Sequence, residues 1–219
     1  MVVRENFENE LNLLRQKLIE ISSLTEIALS KAINALEKQN IEEALYIIEE
    51  DTRIDNLEEE INDLAILLIA KQQPVAIDLR RIIVAIKIAT DIERIADFAV
   101  NIAKATIRIG KEPLIQPVHT IKRMHEIVLR MLSLVIQAYN EEDVVLAKEA
   151  ADMDDEVDEL YGQVIRELLK LMADEQENFN QINQFLFVCR YIERAGDHIT
   201  NVSESVLYLV KGKRYGLNV

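Results

Sequence analysis

The sequence has few glycines and prolines, no tryptophan and a single cysteine. Five Gly and three Pro in 219 residues are too few to supply the turns that sandwiches, barrels and doubly wound sheets need, so a nearly all-helical protein is predicted. The one cysteine, Cys189, cannot form an internal disulfide or a cysteine-rich zinc site. This cysteine usage indicates a reducing, cytoplasmic environment.

Long apolar runs and a basic charge balance are also missing. The longest uncharged apolar run, Leu64–Ala70, covers seven residues, whereas a membrane span needs about 20. Arg4, Glu5 and Glu8 stand where a signal peptide would have its apolar region. We therefore expect a soluble protein without direct membrane insertion. The 39 acidic and 25 basic residues give a net charge of −14, which disfavours nucleic acid and suits cations or protein partners.

Six long helices are predicted between the helix-breaking segments, at residues 4–38, 41–72, 76–109, 118–139, 142–173 and 179–211. An internal repeat relates the first three helices to the last three. A shift of 103 residues maps the stripe from Leu18 to Ala35 onto that from Ile121 to Ala138, and a shift of 100 maps Ile92-Glu93-Arg94 onto Ile192-Glu193-Arg194. The predicted fold is all-α, a tandem repeat of two antiparallel three-helix bundles, residues 1–110 and 118–219, joined by the linker 111–117.

Acidic residues recur in pairs of the type acid-x-x-x-Asp, which place two carboxylates one turn apart on one helix face. The pairs are Asp51/Asp55, Glu59/Asp63, Glu93/Asp97, Asp154/Asp158 and Glu193/Asp197. In an antiparallel hairpin about Pro74, Asp55 lies level with Glu93 and Asp51 lies level with Asp97. The second repeat has the same relation, so two carboxylate quartets are predicted. The pair Glu59/Asp63 has no partner at its height, and we assign it to solvent.

Four carboxylates this close repel one another unless a cation compensates them. Arg94 and Arg194 point about 100° away from the neighbouring glutamates on a helical wheel, and no basic residue stands at a repeated position beside the quartets. Bound metal is therefore favoured over an internal ion-pair network, and oxygen ligands suit Mg, Mn, Fe or Ca. In mid-helix, Gly196 predicts close packing against a neighbouring helix. A polar role on the outer face or between the domains is expected for His198.

Other classes of function are weaker. A ferritin-like di-metal enzyme uses Glu-x-x-His, but Gln116, Lys122 and Ala195 stand three residues before the histidines. This disfavours that class. A di-metal carboxylate enzyme and a metal-free structural helical scaffold remain as alternatives to a metal-binding adaptor.

The repeated motifs resemble those of the PhoU family of phosphate-specific transport regulators. The resemblance covers almost the whole chain and is most specific at Leu79–Ile83, Asp91–Asp97, Asn101–Ala103 and Tyr191–His198 with Asn201. It implies two three-helix bundles whose acidic motifs hold multinuclear iron or zinc, while magnesium or manganese would suit the same oxygen ligands. The ligands implied by this likeness are Asp51, Asp55, Glu93, Asp97, Asp154, Asp158, Glu193 and Asp197. The family often has His where this chain has Phe98.

The resemblance also implies a role. It is that of a cytoplasmic, non-enzymatic negative regulator of phosphate uptake and of the phosphate-starvation response. The implied partners are the ATPase subunit of the phosphate ABC transporter and a sensor histidine kinase. We also expect a homodimer.

Overall fold

The computed structural model describes residues 2–115, 118–174 and 176–217 of the chain. Its helices are α1 (Val2–Lys38), α2 (Ile41–Gln72), α3 (Ala76–Ile109), α4 (Val118–Glu141), α5 (Val144–Asp152), α6 (Asp154–Asp174) and α7 (Phe179–Lys211), with a 3-10 turn at Gln176–Asn178. Within these described ranges there is no strand, and the all-α prediction is confirmed. Nor does any described helix have the length and apolarity needed to cross a membrane.

Local signals explain most of the helix ends. At the start of α2, the Asn40 side chain accepts a hydrogen bond from the Glu43 backbone N–H, as an N-cap does. Helix α2 ends at Gln73, whose φ of 46° is left-handed, and Gly110 and Gly212 end α3 and α7 with φ of 71° and 70°. Glycine adopts positive φ without steric cost. The predicted breaks near residues 40, 74 and 110 are therefore confirmed.

The helix predicted over residues 142–173 is wrong in its continuity. Helix α5 ends at Asp152 and α6 begins at Asp154. Aspartate is a poor residue for a helix interior but suits the first turn, where the helix dipole favours negative charge. The break at Met153 therefore places Asp154 at a helix start instead of mid-helix.

The helices form the two predicted bundles. In the first, α1, α2 and α3 pack together, and in the second α4 packs with α5, α6 and α7. Helices α3 and α7 also pack against each other along their length. They run in opposite directions, as shown by the hydrogen bond from Arg80 near the start of α3 to the carbonyl of Leu209 near the end of α7. The buried apolar side chains of both bundles consequently form one continuous core. The domain bounds and the linker 111–117, of which residues 116–117 lie outside the described residues, stay a prediction.

One titratable side chain, His125 on α4, is enclosed in the second bundle. It is 5% exposed, and its Nδ1 has no hydrogen-bond partner. Burial, assisted by the charge of Lys122, lowers the pKa of His125 to about 4. The imidazole is therefore neutral in the folded protein but becomes charged in the unfolded chain at acid pH, so acid favours unfolding.

Replacing His125 with Leu should flatten the acid limb of the stability profile. The unfolded imidazole binds a proton below about 6.5, whereas the folded one does so only below about 4, so the His125 contribution to stability falls as pH drops through that window. We expect the variant to gain up to about 3 kcal/mol relative to the parent between pH 6.5 and 4. Urea unfolding at several pH values measures this gain, and His119→Leu controls for the removal of one histidine. Parallel profiles for parent and variant would contradict the assignment.

Candidate functional site

The first quartet consists of Asp51 and Asp55 on α2 and Glu93 and Asp97 on α3, and the structure brings these side chains together. Burial raises the pKa of Asp51 to about 6, and the charges of Asp55 and Asp97 add to the shift. Burial and the charge of Asp97 likewise raise the pKa of Asp55 and of Glu93. Acids on α2 and acids on α3 therefore repel one another, which agrees with the level arrangement expected from the hairpin about Pro74.

Arg94 partly neutralises the first quartet, contrary to the expectation from the helical wheel. Its guanidinium lies 3.2 Å from Oδ2 of Asp97 and 3.6 Å from Oε2 of Glu93. A long arginine side chain can bend along its own helix, which a wheel of Cα positions does not represent. Because the Arg94 side chain is 56% exposed, these ion pairs contribute little stability, and the quartet keeps its raised pKa values.

The second quartet consists of Asp154 and Asp158 on α6 and Glu193 and Asp197 on α7, and it is the more enclosed of the two. Asp154 is 8% exposed and Glu193 is 9% exposed. Burial raises the pKa of Asp154 to about 7; the Thr200 hydroxyl, which donates to Oδ2 at 3.1 Å, opposes the shift, and three neighbouring acids add to it. Burial and the charge of Asp197 also raise the pKa of Asp158 and Glu193.

Two buried carboxylate oxygens of the second quartet lack a partner. Arg190 pairs with Oε1 of Glu193, but Oε2 of Glu193 and Oδ1 of Asp154 have no hydrogen-bond partner. A buried unpartnered carboxylate oxygen is costly unless a proton or a cation meets it. The donor set therefore fits an oxygen-preferring metal ion. In the part of the chain that the structure describes, no group of three or more His, Cys, Asp or Glu side chains is arranged to hold a metal, so the metal assignment of these eight residues stays a prediction.

The arginines that form ion pairs with the quartets, Arg94 and Arg190, stand at positions that the repeat does not relate. Arg190 stands where the first repeat has Thr90, whose hydroxyl bonds instead to Glu58 at 3.0 Å. Arg194, the counterpart of Arg94, lies over the ring of Phe98. Arg94 and Arg194 are nevertheless repeat-related, and the charge of each opposes the raised pKa of the neighbouring glutamate, Glu93 or Glu193. The expectation that no basic residue stands at a repeated position beside the quartets is therefore wrong.

Gly196 on α7 is placed against the Asp154 carboxylate. A Cβ at position 196 would collide with Oδ1 of Asp154 and would lie 3.5 Å from its Cγ. The close helix packing expected from a mid-helix glycine is confirmed. The first repeat has Ala96 at this position, where the α2 carboxylate of Asp51 is only half-buried. The missing methyl group therefore lets α6 bring its carboxylate deeper into the second bundle.

The contact between the bundles has approximate two-fold symmetry. His198 Nδ1 and Asp91 Oδ1 are 2.9 Å apart across α7 and α3, which confirms an inter-domain polar role for His198. The repeat-related pair, Phe98 and Tyr191, stacks with ring centroids 6.1 Å apart. One pair is polar and its counterpart aromatic, so Phe98 contributes packing at the position where the resemblance leads one to expect His.

Sequence reasoning missed several residues around the quartets. Glu59 and Glu58 raise the pKa of Asp55, Glu58 also raises that of Glu93, and Thr200 donates to Asp154. One signal was available, because Thr200 follows Gly196 by one helical turn and so shares its face. The remaining pair, Glu59 and Asp63, is exposed as expected.

Chelator-treated protein should show the raised pKa of Asp154 in its stability. The folded-state pKa of about 7 lies above the unfolded value near 3.9, so the protonated form stabilises the fold and this contribution is lost as pH rises through 7. Asp154→Asn carries no such charge, and we expect it to gain about 2 kcal/mol on the parent between pH 5 and pH 8. Urea unfolding in EDTA measures the difference, and a gain that is independent of pH would refute the assignment.

Comparison with known proteins gives the chain a family context. The PhoU domain family matches it twice, at residues 18–106 and 121–206, and each match lies within one predicted bundle. A Clostridium acetobutylicum protein described as a phosphate-specific transport system accessory protein PhoU homolog is 43% identical over 99% of this chain and 100% of its own length. A protein of the same description from Aquifex aeolicus is 39% identical over 93% of this chain and 92% of its own length.

Solved structures show the same architecture. The crystal structure of PhoU from Pseudomonas aeruginosa matches with a TM-score of 0.91 and 31% identity, over 94% of this chain and all of that one. The phosphate transport system regulatory protein PhoU from Streptococcus pneumoniae matches with a TM-score of 0.90 and 28% identity, over 96% of this chain and 99% of its own.

Proposed function

The chain belongs to the PhoU family, and on that premise we propose that it is an accessory regulator of phosphate-specific transport. The observation that carries the proposal is the 43% identity, over nearly the full length of both chains, to a protein with that description. Relatives of this kind are accessory and regulatory proteins of transport. The role is therefore regulatory and not catalytic.

We also propose the direction of the regulation and the partners through which it acts. The protein acts as a cytoplasmic negative regulator of phosphate uptake and of the phosphate-starvation response, through contacts with the transporter ATPase subunit and a sensor histidine kinase. A homodimer is the proposed assembly. The surface of the protein suits protein partners, since a net charge of −14 per chain favours basic protein surfaces over nucleic acid.

The two quartets are proposed as metal sites of this regulator. Asp51, Asp55, Glu93 and Asp97 would hold metal in the first bundle, and Asp154, Asp158, Glu193 and Asp197 would hold it in the second. Iron or zinc is expected, and magnesium or manganese would suit the same oxygens. The bound cation would neutralise carboxylates that otherwise repel. Support comes from the two unpartnered buried oxygens and from the raised pKa values.

The residues around the quartets indicate what the site does to the fold. Thr200 orients the Asp154 carboxylate, Gly196 makes room for it, and Arg190 holds one oxygen of Glu193. Each quartet joins two helices of one bundle, α2 to α3 or α6 to α7. Carboxylates that repel across these pairs when uncompensated would loosen the bundles, so their neutralisation by a cation would stabilise the bundles.

Complementation tests the regulatory role. In a bacterium whose own family member has been deleted, this chain should lower phosphate uptake and silence a phosphate-starvation reporter in phosphate-rich medium. Asp154→Asn with Glu193→Gln should lose much of this repression if metal is needed, whereas Glu59→Gln with Asp63→Asn, an exposed pair, should keep it.

Two outcomes would favour the alternatives. Full repression by the quartet variant, together with no metal in the parent, would indicate a metal-free structural scaffold. Turnover of an oxidase or phosphatase substrate by metal-loaded protein, lost in the quartet variant, would indicate a di-metal carboxylate enzyme. Failure of the parent chain to repress would reject the regulatory proposal itself.

A further inference from the structure

A cluster of basic side chains surrounds the end of α7 in a chain whose net charge is −14. Within this cluster, Lys87 on α3 and Arg214 beyond α7 line a cavity of about 120 Å³, which we call the C-terminal pocket. Its other lining residues are Glu204, Ser205, Tyr208 and Tyr215. None of the eight candidate metal ligands lines it, so its chemistry is separate from that of the quartets.

The segment that follows α7 is held in place as a wall of this pocket. Its Leu217 backbone N–H donates to Oε1 of Glu204 at 2.7 Å. Gly212 turns the chain with a φ of 70°, and a Cβ there would lie only 2.8 Å from Nη1 of Arg80. The positive φ favours glycine at this turn, whereas the end of the flexible Arg80 side chain could move aside.

The cations of the pocket are not neutralised by carboxylates. Seven other arginines of the described chain form ion pairs, but Lys87 and Arg214 form none within the described residues. Arg80 and Arg214 both lie over the Tyr208 ring, with guanidinium carbons 5.6 and 5.9 Å from its centroid. The pocket lining thus holds two positive charges and one acid, Glu204, and Arg80 adds a third positive charge at Tyr208.

The carbonyl end of α7 is partly neutralised by donors. The last carbonyls of a helix carry partial negative charge when they lack donors. Here Arg80 donates to the carbonyl of Leu209 at 3.0 Å, and the Gly212 backbone N–H donates to the carbonyl of Tyr208 at 2.9 Å. With Lys87 and Arg214 against Glu204, the lining of the pocket carries a formal net charge of +1, which suits a small anion.

We propose that the C-terminal pocket binds inorganic phosphate as the monohydrogen dianion. Lysine and arginine provide the charge and the forked donors that a tetrahedral oxyanion needs, and Ser205 and Tyr215 provide hydroxyl donors. The cavity of about 120 Å³ is several times the roughly 10–15 Å³ that one water needs, so it has room for an ion of five heavy atoms.

Glu204 is the feature that selects phosphate over other dianions. A carboxylate repels any anion, but monohydrogen phosphate carries a proton that it can donate to the free oxygen of Glu204. Sulfate and a fully ionised phosphate monoester have no such proton, so they meet the same carboxylate without a compensating hydrogen bond. Bound phosphate would also fasten the segment after α7 to α3, because Arg214 and Lys87 lie on these two parts of the chain.

Calorimetric titration of EDTA-treated protein with inorganic phosphate at pH 7.5 and constant ionic strength tests the proposal independently of the metal sites. We expect one saturable site per chain, at least tenfold weaker binding in Lys87→Gln with Arg214→Gln, and unchanged binding in the matched control Lys38→Gln with Lys148→Gln. Sulfate and phenyl phosphate should bind at least tenfold more weakly than phosphate. In Glu204→Gln, the ratio between the affinity for phosphate and the affinity for these two anions should be smaller than in the parent.

Several results would overturn the proposal. They are the absence of saturable binding to the parent, an equal loss in the control variant, or sulfate that binds as tightly as phosphate. Equal binding of phenyl phosphate would reject the free dianion and assign the pocket to a phosphoryl group of a larger molecule. Thermal unfolding of each variant establishes that it is folded, and the single variant Lys87→Gln, on an exposed face of α3, repeats the test without altering the segment after α7.

Discussion

Replacing Asp154 with Asn and Glu193 with Gln should remove the metal of the second quartet and leave that of the first in place. These two residues carry the unpartnered buried oxygens, and an amide is a far weaker ligand for a hard cation than a carboxylate. Elemental analysis of protein purified without chelators or a metal-affinity tag measures the loss, which should amount to the whole content of one quartet. The mirror variant, Glu93→Gln with Asp97→Asn, should lose the metal of the first quartet and keep that of the second.

Stability separates a metal site from an ion-pair network in the same variants. In EDTA the Asp154 and Glu193 variant should unfold at a temperature no lower than the parent, because two repelling carboxylates have become neutral. The rise in Tm on adding metal should shrink, since an ion that binds only the native state stabilises it by mass action. Glu59→Gln with Asp63→Asn removes the same charge from an exposed pair whose Glu59 acts on Asp55 of the first quartet only, so it should keep the metal of the second quartet and the rise in Tm that this metal provides. An unchanged metal content, or a much less stable chelated variant, would show that these acids belong to an internal ion-pair network.

Gly196→Ala should destabilise the protein although alanine is the better helix former. In an open helix position, this substitution gains about 1 kcal/mol. At position 196, however, the new methyl group collides with the Asp154 carboxylate and must displace it from Thr200, which leaves a buried acid without its donor. We expect a net cost of about 1–3 kcal/mol, measured by urea unfolding in EDTA, with a matching loss of metal at the second quartet.

Two further variants make the glycine prediction specific. Gly162→Ala on α6 adds the same atom, and its Cβ would meet only the end of the Arg166 side chain at 3.4 Å, so it should stabilise by about 0.5–1 kcal/mol. Adding Asp154→Ala to Gly196→Ala should recover part of the loss, because the collision partner is gone. Equal gains at positions 162 and 196 would be incompatible with the close packing described for Gly196.

The height matching of the quartets could be predicted from sequence because it depends on few quantities. A fixed rise per residue and one turn at Pro74 place Asp55 beside Glu93 and Asp51 beside Asp97. The same calculation worked in the second bundle even though Met153 interrupts the helix there, since the interruption lies before Asp154 and leaves the spacing from Asp154 to α7 intact.

The counter-cations could not be predicted in the same way. Arg94 reaches Asp97 by bending along α3, and Arg190 instead of Arg194 pairs with Glu193. Which of several arginines meets a carboxylate depends on rotamers and on what else competes for each guanidinium. Arg194 lies over the Phe98 ring instead of pairing with Glu193. That position exists only because α3 and α7 pack together.

By itself the amino-acid sequence determined the duplication, the two groups of acids and the helices, apart from the break at Met153, because hydrophobic period, helix breakers and charge spacing act over a few turns of one helix. Tertiary structure alone decided the antiparallel packing of α3 on α7, the shared core, the burial of Asp154 against Gly196 and the C-terminal pocket. Each of these depends on the rotation and offset of helices far apart in the chain. Those quantities result from the packing of many side chains together, so no short stretch of sequence encodes them.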